Sequence, residues 1–319
     1  MAENKRVKFR IFRYNPETDR EGRFQEMEVP VQPGWTVLDV LQYIKDEVDG
    51  TLTFRRSCRS GICGSCAMKI NGDAKLACKT QVGFELEKGS TITVEPLGNM
   101  KQLKDLVTDF EGFWQKFTKV EPWLQPDESK VPADREIPQS QEEVDVIDRV
   151  ADCIKCGSCF GDCTVLEADP DFLGPMALAQ AFRFAADSRD AKKKERLSDL
   201  TRMGLWWCAH CYRCVPCPKQ VKPAHAILAL REMAIQEGLV NDPGVRHVQA
   251  FRESIVRYGK LNEAMLVLKT RGIFKQLTDF PQALAMMRKG KAKPPFKKPI
   301  RKIDDVRRVV KAAAGGVQK

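Results

Sequence analysis

Residues Arg6 to Arg13 alternate apolar and charged side chains with period two, the pattern of a half-buried strand, and Gln25 to Val31 and Thr91 to Val94 are similarly strand-like. Between these segments Val37, Leu38, Leu41, Ile44 and Val48 recur at helical spacing behind Thr36, a suitable N-cap, so the spacing predicts a helix over 36–48. One helix laid on a mixed sheet makes an α+β domain, expected over residues 1–105. Residues 122–139 carry Pro122, Pro126, Pro132 and Pro138 among charged neighbours, a composition that opposes regular structure and suits a connecting segment. Ser140 and Glu143 then match a capping box ahead of Val144, Ile147, Val150 and Ala151. Beyond that point Pro175, Pro223 and Pro243 suit first helical turns, and Gly238 and Gly259 suit helix ends. An all-α domain is therefore expected over 106–240, including the connecting segment, with a helical extension and tail over 241–319.

Composition adds two things to this picture. With 319 residues, 43% hydrophobic and 30% charged, the chain has the make-up of a soluble protein of about two domains, and no run approaches the ~18 apolar residues of a membrane span. The formal charge is +10, and residues 288–319 account for all of it, with 12 Lys or Arg against Asp304 and Asp305. Such a basic end suits a solvated tail, an acidic partner or an anionic lipid surface. Nucleic acid is not expected, because the tail lacks interleaved aromatics and no reading motif accompanies it. The start, Met1-Ala2-Glu3-Asn4-Lys5, has no apolar h-region, so a reducing, cytoplasmic setting is expected. Twelve cysteines there point to metal ligands rather than disulfides.

All twelve fall in three windows of four: Cys58, Cys63, Cys66 and Cys78; Cys153, Cys156, Cys159 and Cys163; Cys208, Cys211, Cys214 and Cys217. The first, C-x4-C-x2-C with Cys78 following after eleven intervening residues, has the spacing of a plant-type 2Fe-2S site. Gly61 and Gly64 permit the backbone to wrap closely round such a cluster, and Cys78 would arrive from Lys75-Leu-Ala-Cys78 after the turn Asn71-Gly72. The second, C-x2-C-x2-C-x3-C, is the run of bacterial-type ferredoxins, in which the fourth cysteine serves the other cluster. That rule crosses the ligands. Cys153, Cys156, Cys159 and the distant Cys217 would hold one 4Fe-4S cluster, and Cys163 would join Cys208, Cys211 and Cys214 at a third. Two uncrossed clusters, or zinc sites in a structural protein, are the alternatives, although zinc favours paired C-x2-C knuckles.

Over roughly residues 6–230 the sequence resembles the iron-sulfur subunit of succinate dehydrogenase and fumarate reductase. Ser57-Cys-Arg-Ser-Gly-Ile-Cys-Gly-Ser-Cys-Ala-Met68 with Cys78, the Cys153 run, and Leu173-Gly-Pro175 leading to Ala186-Asp-Ser-Arg-Asp190 carry the resemblance. It implies a β-grasp, plant-type 2Fe-2S ferredoxin-like domain followed by an all-α, bacterial-ferredoxin-like domain. It also implies an electron wire between an FAD-containing flavoprotein subunit, where succinate is oxidised or fumarate reduced, and a membrane anchor with its quinone. Flavin takes two electrons as a hydride equivalent and iron-sulfur centres pass them singly. The chain has no G-x-G-x-x-G fingerprint for FAD, so flavin and dicarboxylate belong to another subunit.

The third window departs from the family's C-x5-C-x3-C-P. Cys211 is an extra thiol inside the x5 gap, and Cys214 to Cys217 is one residue shorter, with Val215-Pro216 between them. A fourth thiolate favours 4Fe-4S for the third cluster, and the shortened gap keeps 3Fe-4S as the alternative. Thr164-Val165 and Ala209 stand where the family places Pro-Ser and His, so quinone contact by this subunit does not carry over. Trp206 and Trp207 are expected to pack round the cluster, and His210 is an ordinary residue or a cluster neighbour. Leu261 to Gly272 looks like the C-terminal segment of small heterodisulfide-reductase subunits, which implies an anchor of that type. A helix from Phe280 to Gly290 and the basic tail would dock on it or on lipid, leaving the protein peripheral on the cytoplasmic face of the inner membrane. A heterodisulfide-reductase-like or thiol-linked fumarate reductase is the second reading. Three oxidised thiolate-bound clusters, each of charge about −2, would lower the total to roughly +4.

Overall fold

In β1 (Lys5–Arg13) the alternation buries Val7, Phe9 and Ile11 on one face, and the same parity carries Arg13 inward. β1 pairs antiparallel with β2 (Arg23–Val31), Phe9 opposite Met27 and Val7 opposite Val29, and parallel with β5 (Thr91–Glu95). A hairpin of β3 (Ala67–Ile70) and β4 (Asp73–Leu76), turning through Asn71 and Gly72 at positive φ, completes a five-stranded sheet in the order β2-β1-β5-β3-β4. The computed structural model describes residues 5–272, 281, 284–291 and 297–315, and the chain divides into two compact units, residues 1–233 and 234–319.

α1 (Val37–Tyr43) lies on this sheet and buries Val37, Leu38, Val40 and Leu41 in its core. Its start is the expected one, sharpened by a capping box: Asp39 N–H donates to Thr36 Oγ1, and the Asp39 carboxylate accepts from Thr36 N–H. Its end differs. From Ile44 the chain winds as a π turn to Val48, with Asp49 N–H donating to Ile44 O at 2.7 Å, and the wider turn rotates Val48 out to 56% exposure. Val40, absent from the expected stripe, is buried in its stead. α2 (Val82–Leu86) precedes β5, and β4 ends at Leu76, so Cys78 sits on a 3-10 turn over Ala77–Lys79 rather than on a strand.

Arg13 anchors the open end of the sheet. It donates to Asp105 at 3.1 Å, Asp49 at 2.5 Å, Gln25 at 2.7 Å and Thr51 at 2.7 Å, while Asp105 also accepts Tyr14 N–H and Thr53 N–H. A buried guanidinium is tolerable because it is paired and hydrogen-bonded.

A short hairpin of β6 (Gln102–Lys104) and β7 (Val107–Thr108) leads to α3 (Glu111–Lys119), whose buried Phe113 meets Phe160 edge to face at 5.5 Å. Residues 122–139 then run without regular structure except one 3-10 turn at Glu128–Lys130. The connection is nonetheless tied down. Arg196 forks onto Asp190 at 2.9 and 3.1 Å and donates to the carbonyls of Glu121 and Trp123, both at 2.7 Å, while Gln125 N–H donates to Asp190.

The helical part consists of α4 (Gln141–Ala151), α5 (Ser158–Gly161), α6 (Thr164–Ala168), α7 (Pro175–Ala185), α8 (Lys193–Arg202) and α9 (Pro223–Gln236). α4 starts on the expected Ser140/Glu143 capping box, and Ile147 and Val150 pack with Ala179, Val221 and Ala226. Ala151 is exposed and Val144 half-buried, so only two of the four apolar positions expected there reach the core.

The second unit contains α10 (Pro243–Tyr258), capped by Asp242 and closed by Gly259 at φ +69°, and α11 (Glu263–Arg271), capped by Asn262. Ser254, buried on α10, accepts Asn262 N–H at 2.7 Å and donates to Lys260 O. The last helix, Ile303–Gly315, reaches back through Arg307 to Val256 O at 3.2 Å. Of the helix expected over 280–290, Pro281 and residues 284–288 are helical; Phe280, residues 282–283 and the tail positions 292–296 and 316–319 lie outside the described residues. No helix among the described residues is long and apolar enough to cross a membrane.

Candidate functional site

The first thiol window is a loop bent by positive φ at Arg59, Gly61 and Gly64. That winding turns the N–H groups of Ser60, Ile62 and Cys63 onto Cys58 Sγ at 3.3 to 3.4 Å, and Ser65 N–H onto Cys63 Sγ at 3.5 Å. Those three donors hold the Cys58 thiol down to about 6, so it is ready to bind iron as thiolate. Cys66 behaves oppositely: burial, with Cys78 and Cys63 adding repulsion, pushes its thiol up to about 12. Thiols as different as Cys58 and Cys66 in one loop suit a positively charged iron core that discharges them together.

The second window begins as α4 ends. Cys153 follows it directly, Lys155 and Gly157 take positive φ to turn the chain, Cys159 lies on α5, and Cys163 immediately precedes α6, whose Val165 and Leu166 N–H groups address its sulfur. The third window follows a 3-10 turn at Leu205–Trp207 and leads through Pro218 into α9.

Charge interactions among the thiols reveal how the windows are joined in space. Cys153 feels Cys156 and Cys217; Cys156 feels Cys217; Cys159, its thiol raised first by burial, feels Cys153, Cys156, Cys217 and also Cys214. Cys153, Cys156, Cys159 and Cys217 line one cavity with Met176, Ala179 and Pro218. Cys163 instead feels Cys208 and Cys211, and Cys214, pushed up to about 12 by burial, feels Cys208 and Cys163. Cys217 therefore faces the Cys153 window, and Cys163 faces the window of Cys208 and Cys211. Among the described residues no three His, Cys, Asp or Glu side chains meet at a single-ion position. The all-sulfur donors, backbone N–H groups and glycine cradles have the chemistry of iron-sulfur cluster sites.

The windows also touch one another. A Cβ on Gly64 would fall 2.7 Å from Cys156 Cβ and 2.9 Å from its Cα, so the first loop lies directly against the second. Asn99, after β5, donates to the carbonyls of Phe160 and Cys163 at 2.8 and 2.9 Å, and Asp162 accepts Ala74 N–H from β4 at 2.9 Å. These contacts fix the sheet domain on the cysteine-bearing helices. Their partners are 60 or more residues apart, beyond any periodicity argument.

Around the third set, Thr164 Oγ1 approaches the exposed Cys211 Sγ at 3.4 Å, giving that departure from the family a partner in the other departure. Trp206 packs beneath the Arg231 guanidinium at 4.9 Å, whereas Trp207, expected to pack round the cluster, is 48% exposed. His210 Nε2 meets Arg231 at 2.6 Å, and burial followed by that cation depresses its pKa, so it stays neutral.

Comparison with known proteins bears on both halves. Residues 8–115 match the family of 2Fe-2S iron-sulfur cluster binding domains, and residues 149–221 the 4Fe-4S dicluster domain. The chain is 43% identical over 224 residues to the fumarate reductase iron-sulfur subunit of Mycobacterium tuberculosis, covering 70% of this chain and 90% of that one. It is 39% identical over 265 residues to the 8-methylmenaquinol:fumarate reductase iron-sulfur subunit of Wolinella succinogenes, covering 81% and 82%. It is 38% identical over 233 residues to the mitochondrial succinate dehydrogenase [ubiquinone] iron-sulfur subunit 1 of Oryza sativa subsp. japonica, covering 72% and 82%. Among solved structures, a chain of the Mycobacterium smegmatis Sdh1 complex in the apo form superposes with a TM-score of 0.66 at 25% identity, covering 73% of this chain and 97% of that one.

Proposed function

The chain belongs to the iron-sulfur subunits of succinate dehydrogenase and fumarate reductase, and on that footing we propose that its twelve cysteines hold three clusters in series. It is an electron-transfer subunit of an oxidoreductase, with a 2Fe-2S and a 4Fe-4S domain. In our reading Cys58, Cys63, Cys66 and Cys78 hold the 2Fe-2S cluster, and Cys153, Cys156, Cys159 and Cys217 a 4Fe-4S cluster. Cys163, Cys208, Cys211 and Cys214 hold the third, of 4Fe-4S type. The observation that supports this reading is that Cys217 lines one cavity with Cys153, Cys156 and Cys159, while Cys163 lies within charge range of Cys208, Cys211 and Cys214. Clusters, when bound, supply one-electron chemistry to a reaction that begins as a two-electron event on flavin.

The protein's own residues prepare for that chemistry. The N–H groups of Ser60, Ile62 and Cys63 stabilise Cys58 as thiolate, and Gly64 brings the first loop against Cys156. Cys159 belongs to one set and senses the charge of Cys214 in the next, which places those two sets as neighbours in this reading. The partners in this reading are an FAD-bearing flavoprotein subunit at one end and a membrane anchor of the heterodisulfide-reductase-like type at the other, with quinone served indirectly. The protein would then sit peripherally on the cytoplasmic face of the inner membrane, its basic C-terminal residues toward anchor or lipid.

Metal analysis of the purified complex together with EPR tests the reading. It requires about ten iron atoms per chain with matching acid-labile sulfide, and a nearly silent oxidised spectrum, since fully ligated oxidised 2Fe-2S and 4Fe-4S clusters are diamagnetic. Zinc without iron or sulfide would remove the electron-transfer assignment of the thiols. A strong oxidised 3Fe-4S signal would take Cys211 out of the ligand set.

A further inference from the structure

α9 addresses the third thiol set twice. At its start Ala224 N–H points at Cys214 and opposes the rise that burial imposes on that thiol. Two turns later Arg231 spreads its guanidinium under the loop that carries Cys208. Its Nε and one terminal nitrogen donate to Leu205 O at 3.1 and 3.0 Å, the same terminal nitrogen donates to Cys208 O at 2.9 Å, and the other meets His210 Nε2 at 2.6 Å. Trp206 lies against its face at 4.9 Å. A lysine in this position would supply a point charge without the fork, so the contacts use what is particular to arginine.

The location matters electrically. Cys208 is raised by burial first; the His210 N–H and then the Arg231 cation pull it back toward thiolate, while the neighbouring Cys211 opposes. An arginine never gives up its proton under these conditions, so the charge is permanent. Each electron added to an iron-sulfur centre makes it one unit more negative, and a fixed positive charge nearby favours the reduced form. The first thiol loop obtains its stabilisation at Cys58 from its own residues, the backbone N–H groups of Ser60, Cys63 and Ile62 first. The third has, at Cys208, a side-chain cation imported from a helix outside the loop.

We propose that Arg231 is a positioning residue that raises the reduction potential of the third cluster, acting as a fixed charge beside Cys208 and as the clamp on its loop. This rests on the reading that Cys163, Cys208, Cys211 and Cys214 hold a cluster. The step concerned moves one electron: the donor centre is oxidised by one unit and the third is reduced by one, with no bond made or broken and no proton transferred. A higher potential at the third centre draws electrons outward from the Cys153 set and holds them there.

EPR-monitored redox titration of the intact complex tests this in wild type, Arg231→Gln and Arg231→Lys, with Arg202→Gln as an exposed-cation control. Arg231→Gln is expected to lower the third cluster's reduction equilibrium constant about tenfold, about 59 mV for one electron, and to leave the other two clusters unmoved. Arg231→Lys, which retains the charge, should move it by less than threefold. An unchanged potential in Arg231→Gln with the signal intact overturns the proposal, as does an equal shift in both variants or a shift in Arg202→Gln. If Arg231→Gln fails to retain the cluster, Arg231→Lys decides: a tenfold shift there, or loss of the cluster in both, makes Arg231 purely structural. Absence of any third-cluster signal in wild type would overturn the ligand reading instead.

Discussion

Gly64 and Cys156 meet so closely that no side chain fits between them: a Cβ on Gly64 would stand 2.7 Å from that of Cys156 and 3.3 Å from Ile154 O. The loop that prepares the first set of thiols is thereby seated on the turn that carries the second. The close approach that a loop glycine permits serves here to bring two centres together, besides letting the backbone wrap round one.

Gly64→Ala should therefore damage two clusters at once. The substitution adds a clash with backbone and a side chain at φ +76°, whereas Gly72→Ala, at φ +84° with nothing within 4 Å, adds only the backbone strain. Strain at such a position is worth about 1–3 kcal/mol. The expected outcome is that Gly72→Ala keeps full iron while Gly64→Ala loses both the 2Fe-2S signal and that of its 4Fe-4S neighbour. Loss of the first alone would show that the contact does not support the second.

Arg196 and Asp190 form a pair whose side chains are 4% and 0% exposed, and the guanidinium also holds the carbonyls of Glu121 and Trp123. Arg196→Leu leaves a buried carboxylate without its cation and should destabilise the protein by about 3–5 kcal/mol. It should also free the connecting segment. Limited proteolysis at neutral pH is expected to cut within residues 126–138 many times faster than in wild type, with little rescue by Arg196→Lys, which cannot reproduce the fork. Equal cutting rates would mean that the segment is held by other means.

The Arg13 network has a pH signature with a definite sign. The hydrogen bond from Arg13, followed by those from Thr51, brings Asp49 down from 3.8 to about 2. Its contribution is complete above pH 3.8 and is lost as pH falls toward 2. After allowance for partial exposure it is on the order of 1 kcal/mol. Asp49→Asn should lower stability by that amount in urea unfolding at pH 7 and flatten its decline in acid. Arg13→Met, which strands the buried Asp105 as well, should cost about 3–5 kcal/mol. A smaller penalty for Arg13→Met than for Asp49→Asn would contradict the roles given to the two carboxylates.

Local chemistry made much of this legible in the sequence. The N-cap at Thr36, the capping box at Ser140 and the helix-starting prolines at 175, 223 and 243 rest on neighbours within four residues, and the structure has them as expected. Cysteine spacing suggests the crossed ligand sets of the proposed function because the ligand rule of bacterial ferredoxins is itself a pattern. What escaped was long-range or a matter of register. Val48 was lost to a π turn that periodicity does not anticipate, and Cys78 sits one turn beyond its strand. Arg13 was legible by parity, since it shares a face with Val7, Phe9 and Ile11, but a charged residue in an alternating strand is ordinarily assigned to solvent. Asn99, Thr164 and Arg231 serve partners that lie far away in sequence, and no spacing rule reaches them.

Cys211 offers the most direct test of how the third centre differs from the family pattern. It is exposed, Thr164 Oγ1 approaches its sulfur at 3.4 Å, and Cys163 and Cys208 both sense its charge. As a ligand it closes the fourth corner. Cys211→Ser should then remove about one iron per chain and turn a nearly silent oxidised EPR spectrum into that of a 3Fe-4S cluster, leaving the other two centres intact. Thr164→Val keeps the thiol but removes the hydroxyl beside it. That variant should retain four irons at the third centre and shift only its potential, because a hydrogen bond at a ligand sulfur tunes a cluster without holding it. A Cys211→Ser protein with unchanged iron content and spectrum would exclude the thiol from the ligand set, and the four-thiol grouping about Cys163 would reduce to three.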